Sequence, residues 1–573
     1  MLRFRRFVPF LSLCCPVLFF LSCANQIPPG GGPPDTVPPS IIATSPAPYT
    51  LHFAGDRISL EFDKYVDHRT VEESIFISPY VGDLEFDWSG KELEISFSQK
   101  LRSDKTYVVN VGTDVRDTRN PPNRMAQAFT LAFSTGADID RGAIRGRVYP
   151  IKPADSPEGV MIFAYQLEGL QTDTLNPRTL KPDYITQTGK GGNFFLQHLA
   201  FGAYRIFAVR DEYRNLTYDP EVDDFGVVPH DLILGASDSL QDHVLMQLAK
   251  EDTTPPRLIK ATARDRNHAS MEFSEPIDTS STNRLSLSIE DTLTGNPLKV
   301  YSVFPNLPNQ ESFTVLTGQQ DSTKGYRLTV ASARDLVGLP ISPSANSLVF
   351  AGSAFIDTLM PRIASVSIKD SSRGVALKPD LLIQFSDAIQ RQSLAGAFTL
   401  SDSSGNVVSA SVDWVNDAAC IVQIRKPLQS KCMYRLAVLT YTATDLSGRS
   451  FKDSLKAVRF ETLDAEALSS IEGMVTDSDS SDRDGAIYVN ADAVDSKIPK
   501  TYSTAATKAG TFMIPQIEEG RYTVRAFRDR NANGKYDPGQ PYPFVRAERF
   551  NFAADTLKVR ARWPLEGVKI ELR

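Results

Sequence analysis

DTVPP at 35–39, DTTPP at 252–256 and DTLMP at 357–361 are three writings of one line, and each opens an alternating apolar run. A second line follows after a short gap: ISLEFDKYVD (58–67), ASMEFSEPID (269–278) and LLIQFSDAIQ (381–390). Each copy then places a Tyr at the start of a late strand (Tyr107, Tyr326, Tyr434) and an Asp at a following turn (Asp117, Asp335, Asp445). Repeats set the domain grammar before any single residue is interpreted. Period-two alternation through these stretches predicts half-buried antiparallel strands, in modules of about 100 residues. Proline fixes φ and cannot donate to a ladder, so the repeated prolines suit a strand start at a sandwich edge.

A second grammar fills the gaps. IRGRVY (144–149) and IEGMVT (471–476) open segments that continue as GGNFFLQHLAFGAY (191–204) and AGTFMIPQIEEGRY (509–522), with the same spacing from Gly192 to Tyr204 as from Gly510 to Tyr522. The turn glycines and strand-rich composition predict a second kind of small β-sandwich. Calling the two kinds A and B, the order is A-B-A-A-B. The expected spans are 38–137, 141–250, 252–354, 357–463 and 466–573, named A1, B1, A2, A3 and B2 below. The chain has 573 residues, and no stretch shows the strand-helix alternation of an α/β enzyme. The fold class is all-β, a tandem array of five small β-sandwich modules.

Arg3, Arg5 and Arg6 precede the apolar run Phe7–Leu21, which ends in FLSC. A short apolar run with positive charge on one side predicts a signal peptide over 1–22 rather than a membrane span. Ser22 before Cys23 resembles a bacterial lipobox, although Phe20 departs from the usual Leu, and Cys23 is the expected lipidation site. The Pro- and Gly-rich stretch 23–37 cannot bury a core and reads as a tether. Ala24 lacks the Asp that favours inner-membrane retention, so a lipid-anchored outer-membrane address is expected, with either leaflet open. The formal charge is −7, and loss of the leader removes three arginines. An acidic chain argues against nucleic acid, and the lipid is the expected membrane contact.

Together the Cys-Ala-Asn-Gln start, the tether and the first module resemble Bacteroidota-type Ig-like-domain lipoproteins. The A modules resemble bacterial Ig-like domains of S-layer proteins, and the B modules resemble the transthyretin-like regulatory domain of carboxypeptidases. The resemblance implies a sandwich architecture and leaves activity open, because such modules serve as spacers, stalks and binding domains alike.

Cys420 and Cys432 remain after processing, both in A3, where the sister modules have neither. An oxidising compartment favours a Cys420–Cys432 disulfide, with two reduced buried thiols as the alternative. DRNANGKYDPGQ (529–540) sets Asp529, Asn531, Asn533, Gly534 and Asp537 at alternate positions of a calcium loop, with Gln540 where a bidentate Glu belongs. Asp211, Asn215 and Asp219 echo it in B1 with Leu216 in place of the Gly, and Asp223 and Asp224 could add oxygens there. Asx-turns are the other reading of both loops. Calcium is thus a cofactor the chain could take without requiring one.

The six histidines are scattered, and neither HExxH nor a GxSxG elbow nor a P-loop occurs. The chain reads as non-enzymatic. Trp88, Trp414 and Phe304 recur at related places and are expected in cores rather than on a glycan platform. The expected function is a multi-module β-rod, reaching beyond about 100 Å if its five modules lie end to end, for presentation or protein interaction. The alternative is a binding accessory protein for a glycan or cell-wall component.

Overall fold

The computed structural model describes residues 35–169, 174–279, 285–479, 483–495, 500–507, 510–554 and 556–573. The leader, most of the tether and Cys23 lie outside the described residues.

Alternation builds each module as two packed sheets. In A1 the strand Arg57–Phe62 buries Ile58, Leu60 and Phe62 and turns Arg57 and Glu61 to solvent. It pairs with Ile41–Ser45 on one side and Glu92–Phe97 on the other, and Leu84–Ser89 completes the sheet. Ile75–Ser78, Thr106–Val111 and Phe129–Ser134 form the facing sheet. A2 repeats this order with Leu258–Ala263, His268–Phe273, Asn309–Thr317 and Val300–Asn306 opposite Ser286–Asp291, Gly325–Ser332 and Ser347–Ala351. A3 follows it too, with Ser372–Val375 added in parallel to Leu455–Thr462.

The repeated polar residues fasten the same points in every copy. The hydroxyls of Tyr107, Tyr326 and Tyr434 accept the N–H groups of Arg102, Asp321 and Gln429 at 2.7, 2.9 and 2.9 Å. Each bond fixes the crossing between sheets from five residues upstream. Asp117, Asp335 and Asp445 are almost fully buried, and the Oδ1 of each accepts two backbone N–H groups of its own turn. In the B modules the equivalent tyrosines donate instead, Tyr204 to the Ala200 carbonyl at 2.8 Å and Tyr522 to that of Glu518 at 2.9 Å.

The B modules depart from purely antiparallel pairing. Gly142–Tyr149 runs parallel to Leu240–Gln247, and Ser469–Asp477 runs parallel to Leu565–Leu572. The glycines of IRGRVY and IEGMVT sit at these seams. A Cβ on Gly146 or Gly473 would meet the carbonyl oxygen of Val244 or Val568 at 2.0 Å, so the closing strand approaches only glycine.

The modules are not laid end to end. Phe544 and Ala547 of B2 join the core of B1 formed by Met161, Phe163, Tyr165 and Phe207, to which Phe76 of A1 also contributes. Phe304 and Leu316 of A2 pack on Ala388 and Ala418 of A3. The extended rod is therefore corrected: from B1 the chain passes through A2 and A3 and returns in B2 to dock on B1. Apolar side chains of different modules share common cores, which takes their apolar area out of water.

Candidate functional site

The loop 529–540 is closed by its own side chains. Asp529, fully buried at the end of Gly520–Asp529, accepts the N–H groups of Asn533 at 3.2 Å and Gly534 at 2.7 Å. Asp537 accepts the amides of Asn531 at 2.6 Å and Asn533 at 3.0 Å. Glu548, which the sequence pattern did not indicate, accepts the N–H groups of Arg530 at 2.8 Å and Asp537 at 3.1 Å. Burial raises the Glu548 carboxyl above its ordinary value, and the neighbouring Asp537 and Asp529 push the same way. Gln540 turns away and donates to Glu251 of the B1–A2 connection at 2.8 Å.

B1 carries the same loop with most of its bonds, Tyr213 standing where B2 has Asn531. Asp211 accepts the N–H groups of Asn215 at 3.2 Å and Leu216 at 2.8 Å, and Asp219 accepts the Asn215 amide at 2.8 Å. Asp223 stands in for Glu548, accepting the N–H groups of Glu212 and Asp219 at 3.0 and 2.8 Å. Leu216 takes φ +59°, close to the +72° of Gly534, so the loop keeps its turn without glycine. Asp224 plays no part and lies 3.5 Å from Arg210. The oxygens of both loops are held by backbone and amide donors, as Asx-turns hold theirs. The carboxylates nonetheless crowd together: burial first, then Asp211 and Asp219, raises the Asp223 carboxyl.

In B2 this loop aims an arm, Gln540–Ala547, at B1. Phe544 lies beneath the Arg205 guanidinium, whose centre is 3.6 Å from the ring, and Arg205 is fixed by a paired bond to Asp231 at 2.8 Å for each oxygen. The Tyr542 carbonyl accepts from Arg178 at 3.3 Å, and Arg178 also meets Glu251 at 3.2 Å. Glu251 further accepts the Tyr218 hydroxyl at 2.8 Å. Tyr149 packs on Phe552 with ring centres 4.5 Å apart, and Arg525 donates to Gln247. Beside the contact run two adjoining clefts of about 590 and 480 Å³, whose lining mixes arginines such as Arg147, Arg546 and Arg573 with the carboxylates Asp242, Asp484 and Glu548.

The A2–A3 joint is polar at its rim. His268, 3% exposed, contacts Asp265 of A2 at 2.8 Å and Asp387 of A3 at 3.3 Å, with Asp357 at 3.8 Å. Arg449 links Asp357, Asp387 and Asp445. Burial opposes protonation of His268, but Asp387 and Asp265 outweigh it, and its pKa is raised. Nothing in the sequence pattern marked His268, because Asp357 and Asp387 reach it from another module.

Cys420 and Cys432 are free thiols, so the expected disulfide is corrected. Cys420 faces the A3 core near the start of Ala419–Ile424, and the chain runs to the far end of that strand before crossing to Met433–Leu439. The two lie on opposite sheets of A3, Cys420 within Ala419–Ile424 and Cys432 just before Met433–Leu439, and their sulfurs are not joined. Burial pushes the Cys420 thiol up to about 12. Trp88 and Trp414 pack against their module cores, and Phe304 is buried in the A2–A3 joint, as expected. Trp563 is 72% exposed. Among the described residues no helix is long and apolar enough to cross a membrane.

Residues 35–135 and 357–462, the spans of A1 and A3, match the bacterial Ig-like domain family model. A2, which that model does not cover, has the strand order of A1. No curated protein matches the chain. Among solved structures, domains 1–6 of the surface layer protein SbsC are similar at 10% identity over 91% of this chain and 68% of that one, with a TM-score of 0.17. The N-terminal part of the same bacterial S-layer protein is similar at 16% identity over 36% of this chain and 44% of that one, with a TM-score of 0.16. L,D-transpeptidase 1 of Mycobacterium tuberculosis is similar at 11% identity over 34% of this chain and 90% of that one, with a TM-score of 0.17. Values this low carry no information about activity.

Proposed function

We propose that the chain is a non-enzymatic envelope lipoprotein, held at the outer membrane by a lipid on Cys23, whose docked modules form a platform for structural presentation or protein interaction. The observation that carries this reading is the B2 arm seated in the core of B1, which commits the modules to packing on one another. A1, nearest the tether, packs on the edge of B1 through Asn110, which donates to the Ile185 carbonyl at 2.7 Å, and through Ser78, which accepts the Ile185 N–H at 3.1 Å. The lipid would thus hold the platform close to the membrane by its A1 side. Metabolic labelling with a palmitate analogue tests the anchor: wild type should label and sediment with membranes, and Cys23→Ala should do neither. Unchanged fractionation of Cys23→Ala would remove the anchor from the account.

The clefts between B1 and B2, lined by arginines together with Asp242, Asp479, Asp484 and Glu548, support a second reading, capture of a glycan or cell-wall component. A glycan array that stays blank would remove it. Calcium in the 529–540 loop stays a proposal as well, with Asp529, Asn531, Asn533 and Asp537 as ligands and Glu548 as the additional carboxylate. Weaker calcium binding by Asp537→Ala is the expected result there.

A further inference from the structure

The three A modules share one polar site, and what fills it differs. In each, the Asp of the repeated DTxPP line, the residue two past the strand-ending Phe, and the buried turn Asp come together. In A1 these are Asp35, Lys64 and Asp117. The Lys64 ammonium lies 3.0 Å from Asp35 Oδ2 and 3.7 Å from Asp117 Oδ2, and it donates to the Val37 carbonyl at 2.6 Å. In A3 they are Asp357, Asp387 and Asp445. Four residues after Asp445, Arg449 reaches all three carboxylates, with Asp445 Oδ2 at 2.8 Å, and donates to the Leu359 carbonyl at 2.9 Å. A side-chain cation therefore occupies the site in both modules.

A2 has the carboxylates without the cation. Its residues are Asp252, Glu275 and Asp335, each offering an oxygen within 4.8 Å of the others. Glu275 stands where A1 has Lys64, and Leu339 stands where A3 has Arg449. Asp252 Oδ1 accepts the Thr254 N–H at 3.1 Å, as Asp35 and Asp357 accept from Val37 and Leu359 at 3.0 and 2.9 Å, so the backbone frame is the same. Asp335 is 2% exposed, and its Oδ1 is taken by the N–H groups of Val337 and Leu339. Its Oδ2, the atom that faces Lys64 or Arg449 in the sister modules, is buried with no hydrogen-bond partner. A buried carboxylate oxygen left in this way is costly unless a positive charge reaches it. Burial, then Asp252 and Asp335, raises the Glu275 carboxyl, against a weaker opposing effect of Arg257. Among the described residues no Lys or Arg lies within ion-pair distance of the three.

We infer that A2 binds a divalent cation of the calcium class between Asp252, Glu275 and Asp335, in the place its sister modules fill with Lys64 and Arg449. Hard oxygen donors, most of them charged, suit calcium, and water completes its shell. By the same correspondence the Thr254 carbonyl is the fourth protein oxygen, since the Val37 and Leu359 carbonyls accept from the cations of A1 and A3. The ion clamps the B1–A2 connection one residue from Glu251, where the B2 arm is held. It thereby ties the orientation of A2 to the docked pair.

Calcium titration of the chain from Ala24 onward tests this, by calorimetry and thermal melting, against Glu275→Lys and Glu275→Gln. Wild type should bind at about 1 mM calcium or below, the range of extracellular modules, and melt higher in calcium than in chelator. Glu275→Lys, which installs the lysine of A1, should bind one ion fewer and melt in chelator at or above wild type. Glu275→Gln should lose at least about tenfold in affinity at that site while staying folded. A wild type that binds no calcium overturns the inference. So does an unchanged number of bound ions in both variants, which would assign the binding to the hairpin loops.

Discussion

His268 concentrates the chemistry of the A2–A3 joint in one ring. It faces Asp265 from its own module, Asp357 and Asp387 from the next, and Arg449 lies across the same carboxylates. Its folded pKa lies above the unfolded one, so its contribution is fully present below the unfolded value of about 6.5 and is lost as pH rises through the raised folded value. Melting of the full chain should accordingly fall from mildly acidic to alkaline pH, and His268→Gln should flatten that change. An identical pH profile in the variant would count against the ring. Thiol chemistry gives a second residue-level expectation. Without reductant, Cys432 should react with a maleimide in the native protein, Cys420 only on unfolding, because burial holds Cys420 as the thiol. Two thiols that alkylate only after reduction would restore the disulfide. At this scale the sequence was legible where a residue acts within its own repeat. The tyrosines and turn aspartates announced their places by recurring, whereas Glu548 lies 11 residues beyond Asp537 and is joined to it only by folding.

Hairpin loops are the elements that turn repeated modules into one assembly. The Asx-closed loop of B2 sets the direction of Gln540–Ala547, and Phe544 and Ala547 enter the B1 core from it. Phe544→Ala should destabilise the docked arrangement by about 2–3 kcal/mol, less than a fully enclosed Phe loses because the ring is only partly buried. The loss should appear as faster hydrogen exchange in Gly202–Arg210 of B1, the strand that carries Phe207 against Phe544, while the A2 and A3 sheets keep their protection. Unchanged exchange there would mean the arm contributes little. Gln540 shows what the sequence hid of this element. It stands where a calcium loop carries a bidentate Glu, and its partner Glu251 is 289 residues away in sequence. The parallel closing strands were equally hidden, since alternation reports which face is buried and is silent on strand direction.

Over the whole molecule, the order A-B-A-A-B and the all-β class were readable from repeated lines, because repeats reflect local packing that each module performs for itself. The arrangement of the modules was not. An end-to-end rod follows from counting modules, while the actual path depends on Phe544, Ala547 and Phe304 becoming core residues of a neighbour. The central claim is that B2 returns to dock on B1. Electron–electron distance measurement between nitroxides at Ile233 of B1 and Val545 of B2, both exposed, in a chain carrying Cys420→Ala and Cys432→Ala, tests it most directly. The account predicts a single short, narrow distance that broadens in Phe544→Ala. A broad distribution extending over several module lengths in the parent chain would contradict it.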